Sequence, residues 1–179
     1  MRYHNITKAD MLNGEGLRVV LLVSGCSHKC LGCQNAFTWN SNEGLEFDDS
    51  AREELFRELE KDWCSGITFS GGDPLFCDNR KCMSNLVKDI KERFPNKTIW
   101  LYTGYTWEEL LEQKKIDNNL DTILNNIDVL LDGRFVLELA SIQIHYVGSS
   151  NQCIIDVPKS LTNHQKILYI DNREVLENE

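Results

Sequence analysis

Apolar residues fall along the 179-residue chain in two alternating patterns, short continuous runs and longer amphipathic stretches. Leu17 to Val23 is a run of the first kind and predicts a buried strand ending at the turn Ser24-Gly25. Residues 26–47, with Gly32, Asn35, Asn40, Ser41, Asn42 and Gly44, predict a loop. Ser50 followed by Glu53 forms a capping-box pair and predicts a helix to about Asp62. Ile67-Thr68-Phe69 predicts a strand that stops at Ser70-Gly71-Gly72-Asp73-Pro74. A helix is expected over Arg80 to Phe94, since Pro95 disfavours helix at the residue before it. Thr98 to Tyr102 predicts a third strand, Thr106 and Glu109 a second capping box, and Ile127 to Leu131 a fourth strand ending at Asp132-Gly133. Between Ser141 and Ile170 the pieces Ile142–Ile144 and Ile167–Ile170 are β-prone, in an order the pattern does not set.

Alternating strands and helices predict an α/β fold with a mainly parallel sheet. A closed eight-unit barrel takes about 250 residues, so this chain has room for about six units or fewer, an open partial (βα) barrel. The glycine-bearing turns all follow strands, which puts them on one edge of the sheet, where such folds bind ligands. The cysteine loop and the Gly71-Gly72 turn are therefore expected to face one cleft.

Composition adds boundaries. The chain is 41% apolar and 26% charged, with a net charge of −9. No basic stripe interrupts that acidity, so nucleic-acid and anionic-membrane partners are disfavoured. The polar start Met1-Arg2-Tyr3-His4-Asn5 lacks a signal-type apolar core, and Val19 to Val23 is too short to span a bilayer. A cytoplasmic location is expected. Of seven cysteines, three crowd into Cys26-Ser-His-Lys-Cys30-Leu-Gly-Cys33, while Cys64, Cys77, Cys82 and Cys153 are scattered. In a cytosolic chain a tight cysteine cluster predicts a metal site.

Three thiolates are one short of the four that usually hold a 4Fe-4S cluster. One iron is then left open to bind a small molecule. S-adenosylmethionine suits it, because its amino and carboxylate groups chelate the iron while one electron from the cluster cleaves the carbon–sulfur bond. The competing reading is structural zinc with His28 as a fourth ligand. Against it, Cys-x₃-Cys-x₂-Cys is not zinc-ribbon spacing, and a His28 ring so near Cys26 is expected to point to solvent.

These residues resemble the radical S-adenosylmethionine superfamily and, within it, the activating proteins of anaerobic ribonucleoside-triphosphate reductase. The resemblance rests on Val23-Ser-Gly-Cys-Ser-His-Lys-Cys-Leu-Gly-Cys-Gln-Asn35, Thr38-Trp39, Ser70-Gly-Gly-Asp-Pro-Leu75, Trp100-Leu-Tyr-Thr-Gly-Tyr105, Leu131-Asp-Gly133 and Gly148-Ser-Ser-Asn-Gln152. Asn13-Gly14 and Gly16-Leu17-Arg18 also fit. It implies a radical-SAM partial barrel over residues 1–152, with 153–179 a C-terminal extension of unknown role. It implies Cys26, Cys30 and Cys33 as ligands of a 4Fe-4S cluster, and Gly32, Cys33, Gln34, Gly71, Gly72 and Asp73 as contacts of S-adenosylmethionine. It also implies a reaction that removes hydrogen from one glycine of the reductase large subunit, with an electron donor such as a flavodoxin. The chain departs from the family at Gln34, where tyrosine is usual, at Glu15, where proline is usual, and at Val147, where arginine is usual.

Other readings stand beside this one. A small-molecule radical enzyme, such as a 7-carboxy-7-deazaguanine synthase, would act without a protein partner. A zinc adaptor would do no chemistry. A side chain at Gly72 is expected to block the cofactor and spare the cluster. Asp73 is expected either to touch the ligand or to cap the next segment. Trp100, Tyr102 and Tyr105 are expected to pack as core and rim, Asn151 and Gln152 to form a turn, and the four scattered cysteines to be ordinary thiols.

Overall fold

The computed structural model describes residues 1–172. Its strands are β1 (Arg2–Asp10), β2 (Arg18–Val23), β3 (Leu45–Glu46), β4 (Gly66–Gly71), β5 (Thr98–Tyr102), β6 (Val129–Asp132), β7 (Cys153–Asp156) and β8 (Leu168–Ile170). They form one mixed sheet in the order β3-β1-β2-β4-β5-β6-β7-β8 that does not close on itself. The four central strands β2, β4, β5 and β6 are parallel, and the flanking strands pair antiparallel. The helices are α1 (Asp49–Leu59), α2 (Arg80–Arg93), α3 (Trp107–Gln113), α4 (Asn118–Leu124) and α5 (Val157–Asn163).

Strand alternation sorts the core into two layers. Leu21, Phe69, Leu101 and Leu130 point to the face that buries Leu55 of α1, Val87 of α2, Leu110 of α3 and Leu124 of α4. The parallel strands follow one another without reversal, so right-handed crossovers lay these helices on the same face. Trp100, Val129, Leu131 and Ile154 point the other way and are covered by Ile144, Tyr146 and Val147. At the strand starts on this second face, Arg18 is wholly buried. It donates to Thr68 Oγ1, Ile67 O, Thr98 O, Thr98 Oγ1 and Glu15 O, and its guanidinium lies 5.2 Å from the Trp100 ring.

The central elements form where the hydrophobic pattern puts them, and several details differ. Helix α1 is capped by Asp48, whose carboxylate accepts from Ala51 N at 2.9 Å, so Ser50 lies inside the helix and its expected capping box does not form. The Thr106–Glu109 box is present in both directions, at 3.2 and 2.8 Å. The expected strand at Ile142–Ile144 is a series of bends. Its Ile144 packs onto the second layer instead, and Tyr102 Oη donates to Tyr146 O at 2.6 Å to hold the segment across the sheet. Strand β1 has two register shifts against β2 and a positive φ of 55° at Ala9. Residues 153–170 supply β7 and β8 to the same sheet, with helix α5 between them. Residues 173–179 of the expected C-terminal extension lie outside the described residues. Among the described residues no helix is long and apolar enough to cross a membrane.

Candidate cluster and cofactor site

Four loops leave the carboxyl ends of β2, β4, β5 and β6, and the first three are bound to one another. Gly25 N donates to Thr38 O at 2.8 Å and Cys26 N to Trp39 O at 3.0 Å, which roots the cysteine loop on the segment that follows it. Asp73 N donates to Gly25 O at 2.7 Å and Gly72 N to Val23 O at 2.8 Å, which joins that root to the turn after β4. Asn79 closes the junction, its side-chain amide donating to Ser24 O and to Asp73 O. The cysteine loop and the Gly71-Gly72 turn thus meet on one edge, as their strand-end positions predict.

That junction depends on glycine. Gly71 holds a φ of 100°, a region that side chains strain, and a β-carbon on Gly72 would stand 2.5 Å from Gly25 O. A side chain at Gly72 therefore displaces the root of the cysteine loop as well.

Cys26, Cys30 and Cys33 are free, half-buried thiols on that loop. Cys33 N donates to Cys30 O at 3.1 Å in a tight turn, with Lys29 and Gly32 both at positive φ. Burial pushes the Cys26 thiol pKa up, while hydrogen bonds from the backbone of His28 and Lys29 act the other way. Among the described residues no three Cys, His, Asp or Glu side chains converge as the ligands of one metal ion do. A cubane cluster places each thiolate on a different iron, so its ligands need no common point of convergence. Three accessible thiols with backbone donors aimed at one sulfur fit such a cluster. A cleft of about 670 Å³ opens beside the loop, lined in part by Cys26, Lys29, Phe37, Trp39 and Phe76.

The other residues expected at this edge sort by burial. Gly32 and Gln34 are exposed beside Cys33, and Gly71 and Gly72 are half-buried. Asp73 is 1% exposed, and both its oxygens are engaged. Oδ1 accepts from Leu75 N at 2.8 Å, while Oδ2 accepts from His28 Nε2, Thr103 Oγ1 and Gly104 N at 2.8, 3.0 and 3.1 Å. The Asp73 side chain therefore caps and ties the loops. His28 does not point to solvent. Its side chain is 5% exposed, sits edge-on to the Tyr105 ring at 4.5 Å, and has Nε2 committed to Asp73. That commitment also weighs against His28 as a fourth zinc ligand.

Trp100 is buried and Tyr102 spans to the covering segment, so the packing reading holds for both. Gln152 folds back to accept from Gly148 N and Ser149 N and to donate to Gly133 O, and Asn151 donates to Arg134 O, as a turn requires. Val147, where the family usually has arginine, is buried in the second core layer. Cys64 is buried just before β4, at the end away from the site, and donates to Gly66 O. The sequence did not reveal Thr103 and Gly104 as partners of the cysteine loop. Their Thr-Gly-Tyr turn at a strand end was the available signal.

The geometry places three half-buried thiols at the carboxyl-terminal edge of the parallel strands in an open α/β sheet. Residues 12–155 match the family described as a 4Fe-4S single cluster domain. The class is thus that of single-cluster iron–sulfur proteins. Curated proteins named anaerobic ribonucleoside-triphosphate reductase-activating protein match most of the chain. That of Enterobacteria phage T4 is 43% identical over 152 residues, covering 85% of this chain and 92% of its own length. Those of Haemophilus influenzae and Escherichia coli are 38% and 37% identical over 156 residues, each covering 86% of this chain and 97% of its own length. The chain belongs to the family of anaerobic ribonucleoside-triphosphate reductase-activating proteins. It is an enzyme whose cofactors are a 4Fe-4S cluster and S-adenosylmethionine.

Proposed function

We propose that this chain activates an anaerobic ribonucleoside-triphosphate reductase by removing a hydrogen atom from one glycine of the reductase large subunit. Cys26, Cys30 and Cys33 would hold the 4Fe-4S cluster, and S-adenosylmethionine would bind beside it. When bound and reduced, the pair supplies a 5′-deoxyadenosyl radical. The chain's own residues do the positioning. The half-buried backbone of Gly71 and Gly72 approaches the ligand without side chains in the way, and Gly32 and Gln34 border it beside Cys33. Asp73 serves from behind, through its hydrogen bonds. The observation that carries this reading is the junction of Gly25 and Asp73, which sets the cysteine loop against the glycine turn.

The sheet acts as a partial barrel of the radical-SAM type, open on one side, where a partner's glycine loop enters. A glycine α-carbon suits such a reaction, since flanking amides stabilise its radical and no side chain shields it. The electron donor is a small redox protein such as a flavodoxin, and the reaction belongs in the cytoplasm. A small-molecule substrate is not favoured, since the curated relatives named above are activating proteins.

The test is anaerobic mixing of the cluster-loaded chain with a reductase large subunit, a reductant and S-adenosylmethionine, followed by electron paramagnetic resonance. A glycyl-radical doublet on the large subunit is expected. Its absence with an assembled cluster sinks the proposal.

A further inference from the structure

Cluster ligation by three cysteines does not in itself call for a buried histidine between the first two. His28 nonetheless stands two residues from Cys26 and two from Cys30, turned inward. Its Nε2 meets Asp73 Oδ2 at 2.8 Å, with 5% and 2% of the two side chains exposed. A carboxylate only accepts, so Nε2 donates, and either protonation state of the ring that carries this proton makes the contact.

The surroundings are shaped for the ring. A β-carbon on Gly104 would stand 2.3 Å from His28 Cδ2, so glycine at that position is what admits the imidazole. The Tyr105 ring also packs against the imidazole, edge-on at 4.5 Å. The same Asp73 oxygen accepts from Thr103 Oγ1 and Gly104 N. One carboxylate thereby fastens the loops after β2, β4 and β5. His28 is the cysteine loop's side-chain contribution to that fastening, and its own backbone is one of the two that hydrogen-bond the Cys26 sulfur.

We infer that His28 is a positioning residue for cofactor binding: through Asp73 it fixes the cysteine loop against the Gly71-Gly72 turn, so that one S-adenosylmethionine meets the open iron and the turn together. The inference rests on the functional reading above. Such a residue governs the fit of the cofactor more than the presence of the cluster, because the three thiolates remain when the ring is changed.

Two variants separate the hydrogen bond from the shape. His28→Phe keeps a ring against Gly104 and Tyr105 and removes the donor. His28→Gln restores an N–H near the Nε2 position. Iron and sulfide per chain, S-adenosylmethionine affinity, and the resonance spectrum of the reduced cluster with and without S-adenosylmethionine are measured on each full chain. His28→Phe is expected to assemble the cluster, to bind S-adenosylmethionine about tenfold more weakly, and to lose most of the spectral change on binding. His28→Gln is expected to recover most of both. A His28→Phe chain that matches wild type in affinity and spectrum overturns the inference. So does one that holds no iron, or a His28→Gln chain no better than His28→Phe. Wild-type protein that assembles no cluster overturns the functional reading and this inference with it; the variant results overturn the inference alone.

Discussion

Gly104 and His28 are fitted to each other so closely that one added carbon would bring them to 2.3 Å. Gly104→Ala therefore drives the imidazole out of its place or strains the loop that holds it. Overpacking of this kind costs about 1–3 kcal/mol, which is the expected loss in anaerobic denaturant unfolding. A midpoint equal to wild type would show that the ring moves freely and that the fit is loose.

Arg18 is a buried cation that, among the described residues, has no carboxylate as a hydrogen-bond partner. Its charge is spread over backbone carbonyls, threonine hydroxyls and the Trp100 face, and burial pushes its pKa down to about 10. Arg18→Met fills similar space but strips donors from Ile67 O and Thr98 O. The expected loss is about 3 kcal/mol, read from the unfolding midpoint. Cluster content in the folded fraction should be unchanged, since Arg18 lies at the strand ends away from the cysteine loop.

Alkaline solution should weaken the fold through its tyrosines. Donation to Glu15 and then burial push the Tyr169 phenol up to about 12, and burial raises Tyr102 further. An unfolded tyrosine ionises near pH 10, before these folded ones do. Their contribution is therefore fully present below about pH 10 and is lost as pH climbs toward 12. Stability measured across this range should fall, and Tyr169→Phe should flatten part of the slope. A stability that rises over this interval would contradict the assignment.

Cysteine replacements should divide into two groups. Alanine at Cys26, Cys30 or Cys33 is expected to abolish a stable cluster, measured as iron and sulfide per chain. Serine at Cys77, which is exposed, or at Cys82 on α2 is expected to leave iron content at the wild-type level. Iron loss in the second group would place a fourth thiol at the cluster.

The legible parts of this chain are those whose signal is local. Strands β2, β4 and β5 lie in the parallel centre of the mixed sheet, so they read as short apolar or β-branched runs. The Thr106–Glu109 box and the cysteine spacing are likewise complete within a few residues. Strand β1 was not legible, because Asn5, Thr7 and Lys8 interrupt its apolar residues and its register shifts break a period of two. Helix α5 and strand β7 are too short for periodicity to declare them. At the site, the burial of His28 is set by Asp73, 45 residues away, and by a bare Gly104. No reading of the loop alone contains that information. The Asp48 cap displaced the Ser50 box for a related reason, since two adjacent starts were possible and the carboxylate took the first.

An open sheet exposes two rims, and unpaired rims invite other strands. On one side β8, the last strand among the described residues, is three residues long. On the other, two-residue β3 covers only the start of β1, from Arg2 to Tyr3. The rest of the β1 rim carries the Lys8 charge and kinks at Ala9, where the backbone turns to φ 55°. Short, charged and bent edges are poor templates for strand addition. The chain thereby keeps a sheet that does not close on itself, and among the described residues neither of its edges is a long, flat rim of the kind on which further strands stack.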